Sequence, residues 1–370
     1  MTESSDGTDA RFMARALYLA RRGCCTTKPN PQVGCVLVKD GVIVGEGWHK
    51  RAGEAHAEIE ALRAAGTDAR GATAYVTLEP CCHYGRTAPC SDALIRAGVS
   101  RVVAAMADPN PKVAGNGLKA LAAAGIETVC GMLRSEAEKL NRGFCKRMRR
   151  GRPFVFSKVA MSLDGRTAMA SGESQWITSE GARRDVHRLR AAFSAILTGV
   201  GSVIADDPSL TARLGRAAGD TVQPLRVIVD SMLRTPPESR MARLPGTSLI
   251  AAASTDRQKR CRLEQAGFEV LRLPADGRGR VDLPSLLDHL ATREVNDVMV
   301  EAGAVLNGAL LQAGLVDELV VYMAPSLLVD EGRGAFHLPG LTNLSNRIEF
   351  TLLDARRVGA DLRLCCRVDR

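Results

Sequence analysis

The sequence predicts two α/β domains, a three-layer α/β/α sandwich over residues 1–150 and a second α/β domain over residues 151–370. Three observations predict this. Short β-branched runs alternate with stretches of helical spacing along the whole chain. A chain of 370 residues exceeds what one hydrophobic core organises, so each half must bury its own. The basic run Arg147-Met148-Arg149-Arg150-Gly151-Arg152-Pro153 ends a helical stretch and breaks the pattern with glycine and proline before a fresh strand at Phe154. That run reads as a solvated helix end, where positive charge suits the C-terminal dipole, rather than as a nucleic-acid patch.

In the first half, residues 11–22 have helical spacing, with Phe12, Leu17 and Leu19 among alanines and arginines. Residues 33–39 and 42–48 are β-branched runs on either side of Lys39-Asp40-Gly41, which reads as a hairpin turn. Residues 54–65 are strong helix formers, and 72–78 read as a strand. The alternation continues with a helix at 91–97, a strand at 101–107, a helix at 117–124 and a strand at 126–130, then a last helix at 135–149. The second half opens with a strand at 154–161 and a helix at 180–192. Short strands follow at 195–198, 226–229, 248–252, 269–273 and 297–301, with helices at 256–266 and 283–292. Three last β patterns, 318–323, 347–354 and 361–368, suit antiparallel edges. Residues 211–224 and 273–280 read as surface loops, and no internal repeat or low-complexity tract interrupts the chain.

Composition narrows the class. Apolar residues make up 45% and charged residues 25%, the balance of a globular protein. No run of 18 apolar residues appears, so a transmembrane helix is not expected. Residues 1–9 are polar and acidic without an apolar signal core, so a cytoplasmic location is expected. The 11 cysteines are odd in number and scattered, as expected of core thiols and a few metal ligands in a reducing compartment. The net charge of +9 reads first as a solvated basic surface. A phosphorylated small molecule fits it better than nucleic acid, because aromatics, at 4%, are too few to form a stacking platform.

The strongest motif is His56-Ala57-Glu58, then Glu79-Pro80-Cys81, then Cys90. One imidazole and two thiolates hold zinc with a fourth position open, and Glu58 beside the first ligand can carry protons. This is the equipment of zinc-dependent nucleobase deaminases, whose pattern is His-x-Glu followed by Pro-Cys-x-x-Cys. Here Cys90 stands nine positions after Cys81 rather than three. His56 lies at a helix start, and the cysteines lie after a strand and before a second helix, so two positive helix ends favour the thiolate form. The bland reading is an ordinary helix start with buried cysteines; another is a structural zinc with a fourth protein donor from Cys82 or His83. Cys82 is left outside the site, since adjacent residues seldom bind one ion at tetrahedral angles.

The second half has no Gly-x-Gly-x-x-Gly after its first strand, so a standard dinucleotide fold is not indicated. Thr198-Gly199-Val200-Gly201-Ser202 and Glu301-Ala302-Gly303-Ala304-Val305-Leu306-Asn307-Gly308-Ala309 each join a strand to a helix. Small residues there admit a pyrophosphate to backbone N–H groups, or simply allow tight packing.

Together with Pro29-Asn30-Pro31-Gln32-Val33-Gly34, these motifs and the segment Leu78-Glu79-Pro80-Cys81-Cys82-His83-Tyr84-Gly85-Arg86-Thr87-Ala88-Pro89-Cys90 resemble the bacterial bifunctional deaminase-reductases of riboflavin biosynthesis. Lys158-Val159-Ala160-Met161-Ser162-Leu163-Asp164-Gly165 and Ser174-Gln175-Trp176-Ile177-Thr178 extend the likeness to the reductase half, so that it runs from about Ala10 to the C-terminus. The long spacing to the second cysteine is normal in that family, whereas Cys82 and Tyr84 stand where it carries serine and histidine.

The resemblance implies a cytidine-deaminase-like first domain and a dihydrofolate-reductase-like second domain. It implies two cofactors, Zn2+ and NADPH, and a phosphorylated pyrimidine as substrate. The 2-amino group of a diaminopyrimidinone ribosylamino phosphate is replaced by oxygen, and the ribosyl chain is then reduced to ribityl. Glu58 would be catalytic and His56, Cys81 and Cys90 the metal ligands, with Asn30, His49, His83, Arg86 and Asn110 lining the deaminase pocket. Arg86 suits a phosphate through paired charge-assisted hydrogen bonds, although it can equally be an exposed loop arginine. Cofactor contacts fall at Ala160, Trp176, Ser202, Asp206, Ser231, Gly303, Ala304, Val305, Leu306, Asn307, Gly308 and Ala309. Substrate contacts fall at Ser174, Arg190, Leu210, Arg213 and Glu301; Arg190 and Arg213 suit the phosphate, and Lys158, Asp206 and Glu301 suit protons and sugar hydroxyls. His187 is assigned no role.

Expected partners are the substrate alone, with no nucleic acid and no membrane, in a homo-oligomer (dimer or tetramer). Two rivals remain open at this point. One is a nucleobase or transfer-RNA deaminase with an unrelated appended domain. The other is a non-catalytic, zinc-stabilised regulatory module.

Overall fold

A computed structural model describes residues 5–82, 89–111, 113–214 and 221–369, and the chain divides into two compact units, Met1–Gly151 and Arg152–Arg370. The first contains α1 (Ser5–Ala20), β1 (Gly34–Lys39), β2 (Val42–Trp48), α2 (Ala57–Ala65), β3 (Thr73–Val76), α3 (Cys90–Ala97), β4 (Arg101–Ala104), α4 (Asn116–Ala123), β5 (Glu127–Cys130), α5 (Arg134–Leu140) and α6 (Arg142–Arg150). Its sheet runs β2-β1-β3-β4-β5, with β1 antiparallel to both neighbours and β3, β4 and β5 parallel. Asp40 (φ 51°) and Gly41 (φ 78°) make the left-handed turn that suits the twist of a two-residue hairpin.

The strand period divides the core between two faces. Cys35 and Leu37 of β1 pack with Ala57 and Ala61 of α2, Leu94 of α3 and Leu121 of α4. Val36 and Val38 face the other way, toward Phe12 and Leu17 of α1 and Phe144 of α6. Helices on both faces give the three-layer sandwich.

Three expected elements change. The helix read at 11–22 begins upstream at Ser5, and Arg21–Gly23 tighten into a 3₁₀ turn. The helix read at 54–65 begins at Ala57, because His56 is extended (φ −73°, ψ 164°) as its N-cap. The single helix read at 135–149 is two helices. Asn141, 4% exposed, breaks it (φ −111°, ψ 26°) and pairs with the backbone of Gln32, accepting from its N–H at 2.8 Å and donating to its carbonyl at 2.9 Å. Those two tertiary bonds replace what an unbroken helix would offer.

The second unit contains β6 (Phe154–Ser162), β7 (Arg166–Ala168), α7 (Glu180–Ala192), β8 (Ala195–Gly199), α8 (Val200–Asp206), β9 (Leu225–Val229), β10 (Ser248–Ala252), α9 (Arg257–Gln265), β11 (Glu269–Arg272), α10 (Leu283–Thr292), β12 (Asp297–Val300), α11 (Ala304–Gln312), β13 (Glu318–Ala324), β14 (Arg333–Gly334), β15 (Phe350–Val358) and β16 (Asp361–Val368). Its main sheet runs β11-β10-β9-β8-β12-β6-β13-β16-β15. The strands from β11 to β13 are parallel, and β16 and β15 form an antiparallel edge. Met299 of β12 faces the layer of α7, α8 and α9, while Val298 and Val300 face α10 and α11. The strand read at 347–354 begins at Phe350 and runs to Val358, because Gly359 (φ 63°) sets the hairpin turn there. A small β7–β14 pair was not foreseen. Among the described residues no helix is long and apolar enough to cross a membrane.

Candidate active sites

Two glycines of β2 bring α2 onto the first sheet. A Cβ at Gly45 would stand 2.3 Å from the carbonyl oxygen of Ala61, and one at Gly47 2.3 Å from that of Ala57. Only glycine permits this approach, which fixes the helix N-terminus carrying His56. Cys81 follows β3, and Cys90 is the first residue of α3. The ligand atoms of His56, Cys81 and Cys90 lie within 4.8 Å of one another. His56 Nδ1 is 3.2 Å from Cys90 Sγ and 3.6 Å from Cys81 Sγ. Tetrahedral zinc with Zn–N of about 2.1 Å and Zn–S of about 2.3 Å implies nitrogen–sulfur separations of about 3.5 Å, so the three donors fit that ion.

The electrostatics agree. A hydrogen bond shared with Cys90, opposed by burial and aided by His56, holds Cys81 down to about 4, so it is a thiolate at neutral pH. Cys90 keeps the shared proton, pushed up by Cys81 and by burial. The backbone N–H of Cys90 also donates to Cys81 Sγ at 3.3 Å. Glu58, 3% exposed in the first turn of α2, is pushed up to about 7, chiefly by burial. A carboxyl poised there can both take and return a proton near neutral pH.

His49 lies beside the cluster, its ring edge-on to that of His56 at 5.4 Å. Its Nδ1 meets the Ala55 carbonyl at 3.1 Å, and its Nε2 meets Asn30 Nδ2 at 3.1 Å. Asn30 and His49 therefore form one hydrogen-bonded wall. Asn110 sits in the loop after β4, its backbone N–H on Asp108 Oδ1. His83 and Arg86 lie outside the described residues.

That loop depends on Glu79, a residue to which sequence reasoning assigned no role. The 3%-exposed Glu79 carboxylate accepts from four backbone N–H groups, those of Asp108, Gly115, Gly117 and Leu118, at 2.8–3.2 Å. It ties the segment bearing Cys81 to the start of α4. A carboxylate between apolar Leu78 and Pro80 was the available signal.

In the second unit a cleft of 770 Å³ is lined by Lys158, Ala160, Ser174, Trp176, Arg190, Asp206, Leu210, Arg213 and Glu301 among the foreseen residues. Its volume suits a ligand of nucleotide size. Glu301, 7% exposed at the side chain, is clamped by Arg190 at 2.5 and 3.0 Å and by Lys158 at 3.3 Å. Burial opposes its ionisation, yet Arg190 and then Lys158 outweigh it and hold the carboxyl down to about 2. Trp176 is 70% exposed at the cleft, with Arg183 stacked 4.6 Å over its ring. His187 also lines the cleft, between Thr211 and Arg213. Its one-turn spacing from Arg190 was the overlooked signal.

The other foreseen cofactor residues stand apart from this lining but share one edge of the sheet. Ser231 follows β9, Ser202 is in the first turn of α8 after β8, and Gly303 caps α11 after β12. These strands are neighbours and parallel, so two helix N-termini lie side by side at their carboxyl ends, where open α/β sheets bind ligands. A Cβ at Gly201 or Gly303 would meet nothing within 4 Å, leaving the backbone there open. Asn307 and Gly308 instead face inward. Asn307 holds Ser157 Oγ at 2.8 Å and the Ala302 carbonyl at 2.7 Å, and a Cβ at Gly308 would strike the His337 carbonyl at 1.9 Å. Their part is to seat α11.

Comparison with known proteins agrees with both units. Residues 6–106 match the cytidine and deoxycytidylate deaminase zinc-binding region, and residues 153–364 match the RibD C-terminal domain. The riboflavin biosynthesis protein RibD of Escherichia coli is 53% identical over 363 residues, covering 96% of this chain and 98% of that protein. The solved structure of Acinetobacter baumannii RibD superposes with a TM-score of 0.92 at 44% identity, covering 99% of this chain and 100% of that one. A Thermotoga maritima diaminohydroxyphosphoribosylaminopyrimidine deaminase/5-amino-6-(5-phosphoribosylamino)uracil reductase superposes with a TM-score of 0.87 at 32% identity, covering 98% and 99%. The match over 153–364 removes the rival with an unrelated appended domain. The chain belongs to the RibD family of bifunctional riboflavin-biosynthesis enzymes, in which a zinc-binding deaminase domain is joined to a reductase domain.

Proposed function

We propose that the first unit hydrolytically deaminates 2,5-diamino-6-(ribosylamino)-4(3H)-pyrimidinone 5′-phosphate and that the second reduces the resulting 5-amino-6-(5-phosphoribosylamino)uracil at the expense of NADPH. The observation that carries this reading is the three-donor cluster with a buried carboxyl beside it, in a chain whose other half matches the RibD reductase domain.

Zinc held by His56, Cys81 and Cys90 supplies the Lewis acidity that makes water nucleophilic at neutral pH. Glu58 takes a proton from that water on its carboxylate and returns it to the departing amine, so water is consumed and ammonia released. Asn30 and His49 form the wall that orients the pyrimidine, joined by Asn110, and the family resemblance adds His83 and Arg86 as substrate contacts.

In the second unit NADPH supplies the hydride that reduces the opened sugar at its anomeric carbon. The pyrophosphate would be held by the backbone at the starts of α8 and α11, near Ser202 and Gly303 through Leu306, with Ser231, Ala160, Trp176 and Asp206 as further contacts, while Asn307 and Gly308 seat α11. Glu301 stays ionised between Lys158 and Arg190, so it accepts hydrogen bonds from sugar hydroxyls rather than donating protons. Lys158 is the proton donor this arrangement favours. Ser174, Leu210 and Arg213 complete the substrate contacts.

The partner is a phosphorylated pyrimidine, without nucleic acid or membrane, and the location is cytoplasmic; an odd, scattered set of eleven cysteines fits a reducing compartment. We infer a homo-oligomer from the edge strand β15, exposed along most of its length and carrying Leu352 and Leu353 outward.

Purified protein is incubated with the diaminopyrimidinone phosphate, with and without NADPH, while ammonia and nicotinamide absorbance are followed together. Ammonia should appear in both cases, and NADPH oxidation should follow only after deamination. NADPH consumption without ammonia, or ammonia from cytidine or adenosine instead, would defeat the reading.

A further inference from the structure

Among the described residues five arginines line the cleft of the second unit, and four are held by a carboxylate or lie over an aromatic ring. Arg190 pairs with Glu301, Arg184 with Glu180, Arg240 with Asp207, and Arg183 lies over the Trp176 ring. Among the described residues no carboxylate pairs with Arg213, whose contacts are Thr211 Oγ1 at 3.5 Å and His187 Nε2 at 3.1 Å. A guanidinium has only donors, so His187 Nε2 must be the bare acceptor nitrogen. The hydrogen then sits on Nδ1 and is donated to the Thr211 carbonyl at 3.2 Å. Both neighbours thus select one neutral tautomer, and burial, then Arg190 and Arg213, hold the ring down to about 4.

The surrounding backbone makes this a built arrangement. The Thr211 carbonyl also accepts from Arg190 Nη1 at 3.3 Å, so α7 grips the segment twice at one oxygen. On the next residue, Gln223 exchanges two hydrogen bonds with the backbone of Ala212, each 3.0 Å.

We propose that His187 is a positioning residue for the reductase: its neutral, Nδ1-protonated ring aims the Arg213 guanidinium at the phosphate of the substrate. This rests on reading Arg213 as a phosphate contact. Arg190 is committed to Glu301, so Arg213 is the arginine free to meet the anion with paired, charge-assisted hydrogen bonds.

The test uses the full chain with 5-amino-6-(5-phosphoribosylamino)uracil and its 5′-dephosphorylated counterpart. His187→Ala should raise KM for the phosphorylated substrate roughly tenfold, as expected for one lost hydrogen bond to a charged group, and leave kcat and the KM for NADPH unchanged. On the dephosphorylated substrate the variant and the parent should be equal. His187→Gln, which can accept from Arg213 and donate to Thr211, should recover most of the loss. If His187→Ala fails to fold, His187→Phe fills the space without an acceptor and gives the same comparison. Equal impairment on both substrates, or no impairment on either, overturns the proposal. Arg213→Ala separates the two levels. If it leaves KM for the phosphorylated substrate unchanged, the phosphate reading fails together with the proposal; if it raises KM while His187→Ala does not, only the positioning role fails.

Discussion

Replacing Glu301 with Gln tests the electrostatic centre of the second unit. The carboxylate is clamped by Arg190 and Lys158, which outweigh the effect of burial and hold it down to about 2. A carboxyl held that far below its ordinary value contributes roughly 3 kcal/mol of folding stability at neutral pH. The cost of breaking a buried ion pair by removing one partner, about 3–5 kcal/mol, brackets the same value. Because the folded pKa lies below the unfolded one, the contribution is complete above about pH 4.5 and is lost as pH falls through about 2. Urea unfolding of the full chain, following the transition that NADPH moves to higher denaturant, measures it. Glu301→Gln should lower stability by about 3 kcal/mol at any pH from 5 to 7, and the deficit should narrow by about 1 kcal/mol at pH 3.5. A deficit under about 1 kcal/mol at pH 7, or one that does not narrow in acid, would refute the reasoning.

Glu58→Gln should cut ammonia release by about a thousandfold or more while zinc content stays at one per chain, measured by metal analysis after dialysis. The same variant should oxidise NADPH normally when given the deaminated intermediate; loss of both activities in a folded protein would contradict separate sites. Glu79→Gln removes an acceptor for at least two of the four N–H groups it holds, at about 1–3 kcal/mol each, and should speed zinc loss to a chelator without slowing the reductase. Gly47→Ala places a methyl 2.3 Å from the Ala57 carbonyl, so α2 must lift from β2. It should destabilise the first unit by about 1–3 kcal/mol in thermal unfolding and weaken zinc retention, since His56 caps that helix.

Much of this was legible locally. Alternating β-branched runs and amphipathic stretches mark the strands and helices because side-chain period follows backbone geometry, and α7 and α10 begin and end where periodicity and capping residues put them. The His-x-Glu and cysteine pattern picked out three donors that the fold brings within 4.8 Å of one another, because chemistry limits the donors zinc accepts. The break at Asn141 escaped, since its cause is a pair of bonds to Gln32, far away in the chain. Glu79 and His187 escaped for the same reason: each acts through backbone groups that come near only after folding.

Residue order by itself determined the two-part architecture and pointed to the candidate zinc donors and the acid beside them, because these follow from local periodicity and from chemistry carried in short motifs. Tertiary structure decided which arginine of the cleft meets no carboxylate among the described residues, that Glu301 is an ionised clamp, and that two helix N-termini stand side by side at the carboxyl ends of β8 and β12. Charge state and hydrogen-bond partnership depend on burial and on neighbours distant in sequence, and those exist only once the sheet has assembled.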